Sequence, residues 1–154
     1  MIVRAEQRSQ TVLHFVKDLL DLSRIRANKE IVKKSVSLSK VIKKTVSELI
    51  SKAQTRGLFI TMKNVNNNSS VYGNQDGLEQ IMTNLLVNAI KYTPWGGNID
   101  VQVKEKQDFY EVSVNDTGIG ISQEDMPYIF EDFFRAKNAE QMEKDGTGLG
   151  LSIV

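Results

Sequence analysis

Asn98 to Glu105 and Phe109 to Asn115 alternate apolar with polar residues, and KQD (106–108) joins the two runs, which is the pattern of an antiparallel hairpin. A period of two gives such a hairpin one apolar face, and that face demands a covering layer. The sequence supplies two helices for it. One is predicted from a cap at Ser39 through Val41, Val46, Leu49 and Ile50 to Gly57. The other is predicted from a cap at Asp76 to about Tyr92, and it stops before Pro94 because the residue preceding a proline is pushed out of the helical region. Ser35 to Leu38 reads as the entry of a short strand. Leu58 to Lys63 and VYG (71–73) read as two more, separated by the polar loop NVNNNSS (64–70). The fold class is therefore α+β, a two-layer α/β sandwich with a mixed sheet and helices on one face.

A long helix is expected ahead of the sandwich. From Arg8 to Arg26 the residues Val12, Leu13, Phe15, Val16, Leu19, Leu20 and Leu22 recur at helical spacing, with His14, Lys17, Asp18, Asp21 and Arg24 along the other side. That apolar face is wider than the seam of a simple coiled coil, so it suits a bundle with several neighbours, more than this chain provides. The linker to the sandwich is expected near residues 27–35. At 154 residues the chain can form a real core, since a domain of this size buries roughly 68–70% of its unfolded surface. Its 40% apolar and 25% charged residues lie in the ordinary globular range and argue against a disordered chain. A net charge of +1 gives no sign of nucleic acid or an anionic membrane as partner. The absence of cysteine excludes disulfides and thiolate metal sites. No apolar run reaches the length of a membrane span, so this segment is expected to make no membrane contact.

Three stretches carry candidate chemistry. In LEQIMTNLLVNAIKYTP (78–94), Leu78, Met82, Leu85 and Ala89 are expected to face the core, while Asn84, Asn88 and Lys91 recur at steps of four and three. On ideal helical geometry those three fall within an arc of about 60° at the flank of the apolar face. An asparagine carbonyl is a neutral, hard oxygen ligand that magnesium accepts when phosphates and waters complete its octahedron. Lys91, one turn on, would meet phosphate as a point charge. On its own the pattern also fits an ordinary solvated face. The second stretch, VNDTGIGIS (114–122), ends a strand expected to be buried and places Asp116 beside Gly118 and Gly120. Such a carboxylate can accept a hydrogen bond from an exocyclic amine, as reading adenine requires, and the same residues equally suit a tight Asx turn. The third, GTGLGLS (146–152), has glycines that would open a helix whose free N–H groups and dipole favour phosphate. It satisfies neither GxxxxGK[ST] nor GxGxxG, and alone it also reads as a flexible linker.

NLLVNAIKYTPWGG, NDTGIGI, the aromatic box IFEDFFR (129–135) and GTGLGLSIV, taken in order, resemble the ATP-binding domain of sensor histidine kinases. That domain belongs to a wider superfamily with DNA gyrase and heat-shock chaperone ATPases. The resemblance covers about residues 10 to 154, and LLDLSRI (19–25) is similar to the end of the second helix of the family's dimerisation-and-phosphotransfer hairpin. It implies two domains, 1–30 from that hairpin and 31–154 for ATP binding. It also implies that Asn88 holds Mg2+, that Asn84 accompanies it near the phosphates, that Lys91 contacts phosphate and that Tyr92 lies against the nucleotide. Asp116 would accept from the adenine amino group, with Gly118 and Gly120 shaping its turn. Gly146, Thr147, Gly148, Leu149 and Gly150 would close the phosphate side with backbone N–H groups. A lid would run between Ser122 and Asp145, its start anchored by Phe130, Phe133 and Phe134. Arg135 and Lys137 would either add positive charge near the phosphates or simply face solvent.

The hydrolysing members of the superfamily carry a glutamate where this chain has Asn84. An amide is a poor general base, so the resemblance implies phosphoryl transfer to a protein histidine, relayed to a response-regulator receiver domain, rather than hydrolysis. Two other readings share the pocket: a nucleotide-binding module without catalysis, and an anti-sigma-type protein-serine kinase. The LLDLSRI helix favours the histidine kinase over the serine kinase. His14, in VLHFVKDL, lacks the acidic residue and the basic-Thr-Pro turn that follow the family's phosphoacceptor, so it is expected to be a solvent-face histidine. The resemblance further implies homodimerisation of the parent kinase through the N-terminal helix and a cytoplasmic location. Because the sequence stops within its own glycine motif, it is expected to be a piece of a larger kinase whose sheet has an exposed edge.

Overall fold

A computed structural model describes residues 12, 13, 15, 16, 19, 20, 22, 23, 32–66, 69–144 and 146–154. His14, most of the expected linker (27–31), Asn67, Asn68 and Asp145 lie outside the described residues. The chain divides into two compact units, Val32–Gly120 and a second made of Met1–Ile31 with Ile121–Val154.

The unit Val32–Gly120 runs β1 (Lys34–Ser37), α1 (Leu38–Thr55), β2 (Phe59–Lys63), β3 (Ser70–Gly73), α2 (Gln75–Tyr92), β4 (Asn98–Glu105) and β5 (Tyr110–Asp116). β2 pairs in parallel with β4, from Phe59 opposite Asn98 to Lys63 opposite Gln102. β4 pairs antiparallel with β5, from Ile99 opposite Asp116 to Glu105 opposite Tyr110, which is the expected hairpin. β1 and β3 form a separate antiparallel ladder. Parallel strands cannot be joined by a tight turn, and the connection between β2 and β4 passes through β3 and α2.

One face of β4 explains the layering. Ile99, Val101 and Val103 are buried, whereas Asp100, Gln102 and Lys104 between them are not. The buried set joins Val41, Ile42, Val46 and Ala53 of α1 and Met82, Leu86, Ala89 and Ile90 of α2 in a single core. Full burial of such aliphatic side chains contributes about 1.5–3 kcal/mol each, and this is what holds both helices to one side of the sheet. The expected α+β sandwich is therefore present.

Three local expectations need correction. Ser37 caps α1, with its backbone extended and its hydroxyl accepting from Lys40 N at 3.5 Å; Ser39 is a buried helical residue whose Oγ lies 3.1 Å from that of Ser37. Asn74 caps α2, its Oδ1 accepting from Gly77 N at 2.8 Å. Asp76 sits in the first turn instead, where a negative charge complements the helix dipole. The core face of α2 is also rotated relative to expectation. Leu86 and Ile90 are buried with Met82 and Ala89, while Leu85 is only half-buried.

In the second unit the described N-terminal residues are helical. Val12, Leu13, Phe15, Val16, Leu19 and Leu20 are exposed, and Leu22 is buried with Leu149 and Ile153. Beyond Gly120 come a 3-10 turn at Met126–Tyr128 and the short α3, Lys137–Met142. Among the described residues no helix is long and apolar enough to cross a membrane.

Candidate nucleotide site

The last turn of α2 brings Lys91 and Tyr92 to the loop that carries Asp116. Thr93 takes an extended conformation before Pro94, ending the helix, and Thr93 N still donates to Ala89 O at 3.1 Å. The carbonyls beyond it can no longer be served by a continuing helix. Lys91 O instead accepts from Arg56 Nη2 at 3.1 Å, and Tyr92 O accepts from Ile119 N at 3.1 Å. The second of these bonds joins the helix to the loop that follows β5.

That loop is built tightly. Asp116 Oδ1 accepts from Gly118 N at 2.9 Å, closing an Asx turn. Thr117 N donates to Asn98 O at 3.1 Å and its hydroxyl accepts from Asn98 N at 3.0 Å, clasping the loop to the start of β4. A Cβ on Gly118 would lie 2.5 Å from Asp116 Oδ1 and 2.6 Å from Tyr92 O, so only glycine lets the loop approach the helix end this closely. At Gly120, by contrast, an added Cβ would meet open space. Asp116 itself is exposed, and β5 is half-buried rather than buried, with Val112 and Val114 packed on the core from one side. The expectation of a buried carboxylate is corrected accordingly: the strand's outer face carries solvent-facing polar residues, and Asp116 lies at its end.

Asn84, Asn88, Lys91 and Tyr92 are all half-buried along α2. The Lys91 ammonium sits 5.7 Å from the centre of the Tyr92 ring, within cation–π range. Thr117 was not singled out in the sequence, although its place directly after the strand-ending acid was the available signal. Arg56 was also missed, because its acceptor lies 35 residues away.

Phe130 and residues 146–150 belong to the second unit. Thr147 Oγ1 accepts from Leu149 N at 3.3 Å, so that N–H is engaged within the motif. Gly148 has a φ of +70°, and a Cβ there would lie 2.5 Å from the carbonyl carbon of Phe133. The expected helix opening is not seen: Ser152 Oγ donates to Leu149 O at 2.9 Å and Val154 N to Leu151 O at 3.2 Å, forming one turn. In the aromatic box, Phe130 and Phe133 are exposed, and Phe134 packs with Tyr128 at 5.7 Å between ring centres. The box is thus held by Phe134 and by the backbone of Phe133, not by all three rings. Arg135 donates to Glu143 O and Lys144 O, closing the end of α3, while Lys137 is exposed.

Residues 73–154 match the family model described as histidine kinase-, DNA gyrase B-, and HSP90-like ATPase. The chain belongs to this family. Among its relatives, sensor histidine kinase CpxA of Escherichia coli K12 is 30% identical over 98% of this chain and 33% of its own length. The crystal structure of the catalytic domain of histidine kinase ThkA superposes with a TM-score of 0.68 at 27% identity, covering 79% of this chain and 76% of that one. Full-length ShkA in complex with AMPPNP superposes with a TM-score of 0.79 at 26% identity, over 99% of this chain and 32% of that one. The chain spans 17% to 34% of the length of the curated relatives it matches. It is an ATPase-family domain of the kind carried by sensor histidine kinases, and this kind of domain binds nucleotide.

Among the described residues of this ATPase-family domain, no three His, Cys, Asp or Glu side chains gather to hold a metal. The side-chain amides of Asn84 and Asn88 on α2 offer neutral oxygens of the kind magnesium accepts when phosphates and waters complete its octahedron.

Proposed function

We propose that this chain is the ATP-binding catalytic part of a two-component sensor histidine kinase. It would transfer the γ-phosphoryl group of ATP to a histidine on the dimerisation helices, for relay to an aspartate in a response-regulator receiver domain. The observation that carries the reading is the bond from Ile119 N to Tyr92 O. It stitches the helix turn bearing Asn88, Lys91 and Tyr92 to the loop bearing Asp116, so phosphate-type and adenine-type groups share one rigid junction. A structural relative was crystallised with AMPPNP, an ATP analogue, and the named relatives are sensor kinases.

In this reading Asn88 is the Mg2+ ligand, with Asn84 as its polar companion. Bound Mg2+ would neutralise charge developing on the phosphates. Lys91 adds a fixed ammonium beside them. Asp116 accepts from the adenine amino group, its orientation set by the Asx turn to Gly118. Gly118 and Gly120 shape the turn that carries Asp116, and Tyr92 lies against the nucleotide. Phe130 and residues 146–150, which belong to the second unit, are assigned to nucleotide binding on the family resemblance of their motifs. Asn84 offers no proton-abstracting group, so the residues position and neutralise while the partner imidazole attacks.

Residues 1–30 then belong to the dimerisation hairpin and 31–154 to the ATP-binding domain. The exposed apolar residues Val12, Leu13, Phe15, Val16, Leu19 and Leu20 support a homodimer of the parent kinase through that helix. The location is cytoplasmic. The test is calorimetric titration with Mg-ATP and, separately, Mg-GTP, followed by labelled ATP with a separately supplied phosphoacceptor hairpin. ATP-selective binding and acid-labile label on histidine are expected. Binding without label would reduce the proposal to a nucleotide-binding module.

A further inference from the structure

The end of α2 is held by α1 as well as by the Asp116 loop. α1 closes with a double hydrogen bond, Gly57 N to Gln54 O at 2.9 Å and Leu58 N to Ala53 O at 3.0 Å, and Leu58 and Ala53 are both buried. This fixes Arg56, the C-cap residue, at a defined place beside α2. Its guanidinium reaches Lys91 O at 3.1 Å in a partly buried bond. A cation there also meets the negative end of the α2 dipole. Next to it, Trp95 lies over Gly57, where a Cβ would come within 2.6 Å of the indole ring. Trp95 is the only tryptophan in the chain.

We infer that Arg56 is a positioning residue for nucleotide phosphate recognition, acting through the backbone of Lys91. The inference rests on the nucleotide site proposed above. Its physical basis is directional. Thr93 N to Ala89 O is the last backbone bond α2 makes along its own axis, so the carbonyl oxygens of Lys91 and Tyr92 are met by groups from outside the helix. Ile119 N meets one and Arg56 the other. Without the guanidinium, Lys91 O loses that partner and the last turn of α2 frays at Lys91, which moves the whole residue and its ammonium from the place near Tyr92. Tyr92, held by its own bond to Ile119, would keep the adenine side in register. The loss should therefore fall on the phosphate contribution rather than on adenine.

The test is a double-mutant cycle in the full chain, with Mg-ATP and adenosine affinities measured by calorimetry and melting followed by Trp95 fluorescence. Arg56→Ala is expected to weaken Mg-ATP binding about tenfold and adenosine binding by less than about twofold. In a Lys91→Ala background the same substitution should change Mg-ATP affinity by less than about twofold. Arg56→Gln, which keeps a donor but no charge, should recover part of the loss. Equal losses for ATP and adenosine, or losses that add in the cycle, would show a merely structural role and overturn the inference. Should Arg56→Ala melt without cooperativity, Arg56→Gln and Arg56→Lys replace it, and wild-type ATP affinity in both overturns it as well. Failure of the wild-type chain to bind Mg-ATP would defeat the proposed function itself, a result separable from any outcome of the cycle.

Discussion

Two arginines in this chain do the same local job on very different scales. Arg56 donates to a carbonyl 35 residues away and joins two helices that share one core. Arg135 donates to carbonyls eight and nine residues away and folds its own segment back on itself. Both satisfy orphan carbonyls at a helix end. The difference lies in what surrounds them. Val32–Gly120 has a core of fourteen buried apolar residues drawn from two helices and the strands, while the other unit's described buried cluster is Leu22, Leu149 and Ile153. A bond set in a large core transmits position between distant elements. Arg135 instead bonds carbonyls of its own segment, and a segment held by local bonds opens at low free-energy cost.

The sharpest way to break this contrast is to empty each cluster in turn. Leu86 and Leu149 are both fully buried leucines. Leu86→Ala is expected to cost about 3–5 kcal/mol, because its neighbours are fixed by two helices and three strands and cannot collapse into the cavity. Leu149→Ala is expected to cost about 2–3 kcal/mol, since its segment is turn rather than helix or strand and closes partly around the loss. Urea denaturation of the two variants gives the comparison directly. Equal costs would mean that 121–154 is as firmly packed as the sandwich, and the contrast would fail.

A smaller effect tests the arginines. Arg135→Ala should leave the unfolding free energy in urea within about 0.5 kcal/mol of wild type, since among the described residues one of its own nitrogens, Nε, is buried without a partner. Limited proteolysis should nevertheless speed up between 136 and 144, where the clasp is lost. A lowered midpoint with unchanged cleavage would mean that Arg135 supports the whole chain rather than its own segment.

The same contrast explains what could be read in the sequence. Elements set by strong periodicity and by Pro94 were legible: α2 ends at Tyr92 and the hairpin closes between Glu105 and Tyr110. The motif residues were legible too, because acid, amide and glycine at fixed offsets are local signals. Caps were misassigned by two residues where two capable side chains stand close together, as with Ser37 and Ser39 or Asn74 and Asp76. The winner is the one whose extended backbone lets its oxygen face the free N–H groups, and composition does not carry that information. Leu85 and Leu86 are adjacent, so a small rotation of the helix decided which is buried. Arg56 left no trace at all, since nothing near it in the chain marks Lys91 O as its acceptor.

The smallest expected effect concerns the surface tie between the same two helices. Lys44 Nζ lies 2.6 Å from Glu79 Oε2, linking α1 to α2 outside the core. Hydrogen bonding from Lys44, and secondarily from Gln75, holds the Glu79 carboxyl below the usual carboxylate range, and the bond to Glu79 raises Lys44 above the usual ammonium range. A lowered carboxyl pKa adds stability above its unfolded value, lost as pH falls through the folded one. A raised ammonium pKa adds stability below its unfolded value, lost as pH rises through the folded one. The pair therefore contributes across the neutral range and fades at both extremes. About half of the Lys44 side chain is exposed, so solvent and salt screen the interaction and its contribution is small. Glu79→Gln should lower the urea midpoint slightly at pH 7 and low salt, and the difference from wild type should shrink towards zero as pH falls below the carboxylate range. If the difference persisted undiminished in acid, Glu79 would be acting through packing on α2 rather than through charge, and the helix pair would owe its alignment to the core and to Arg56 alone.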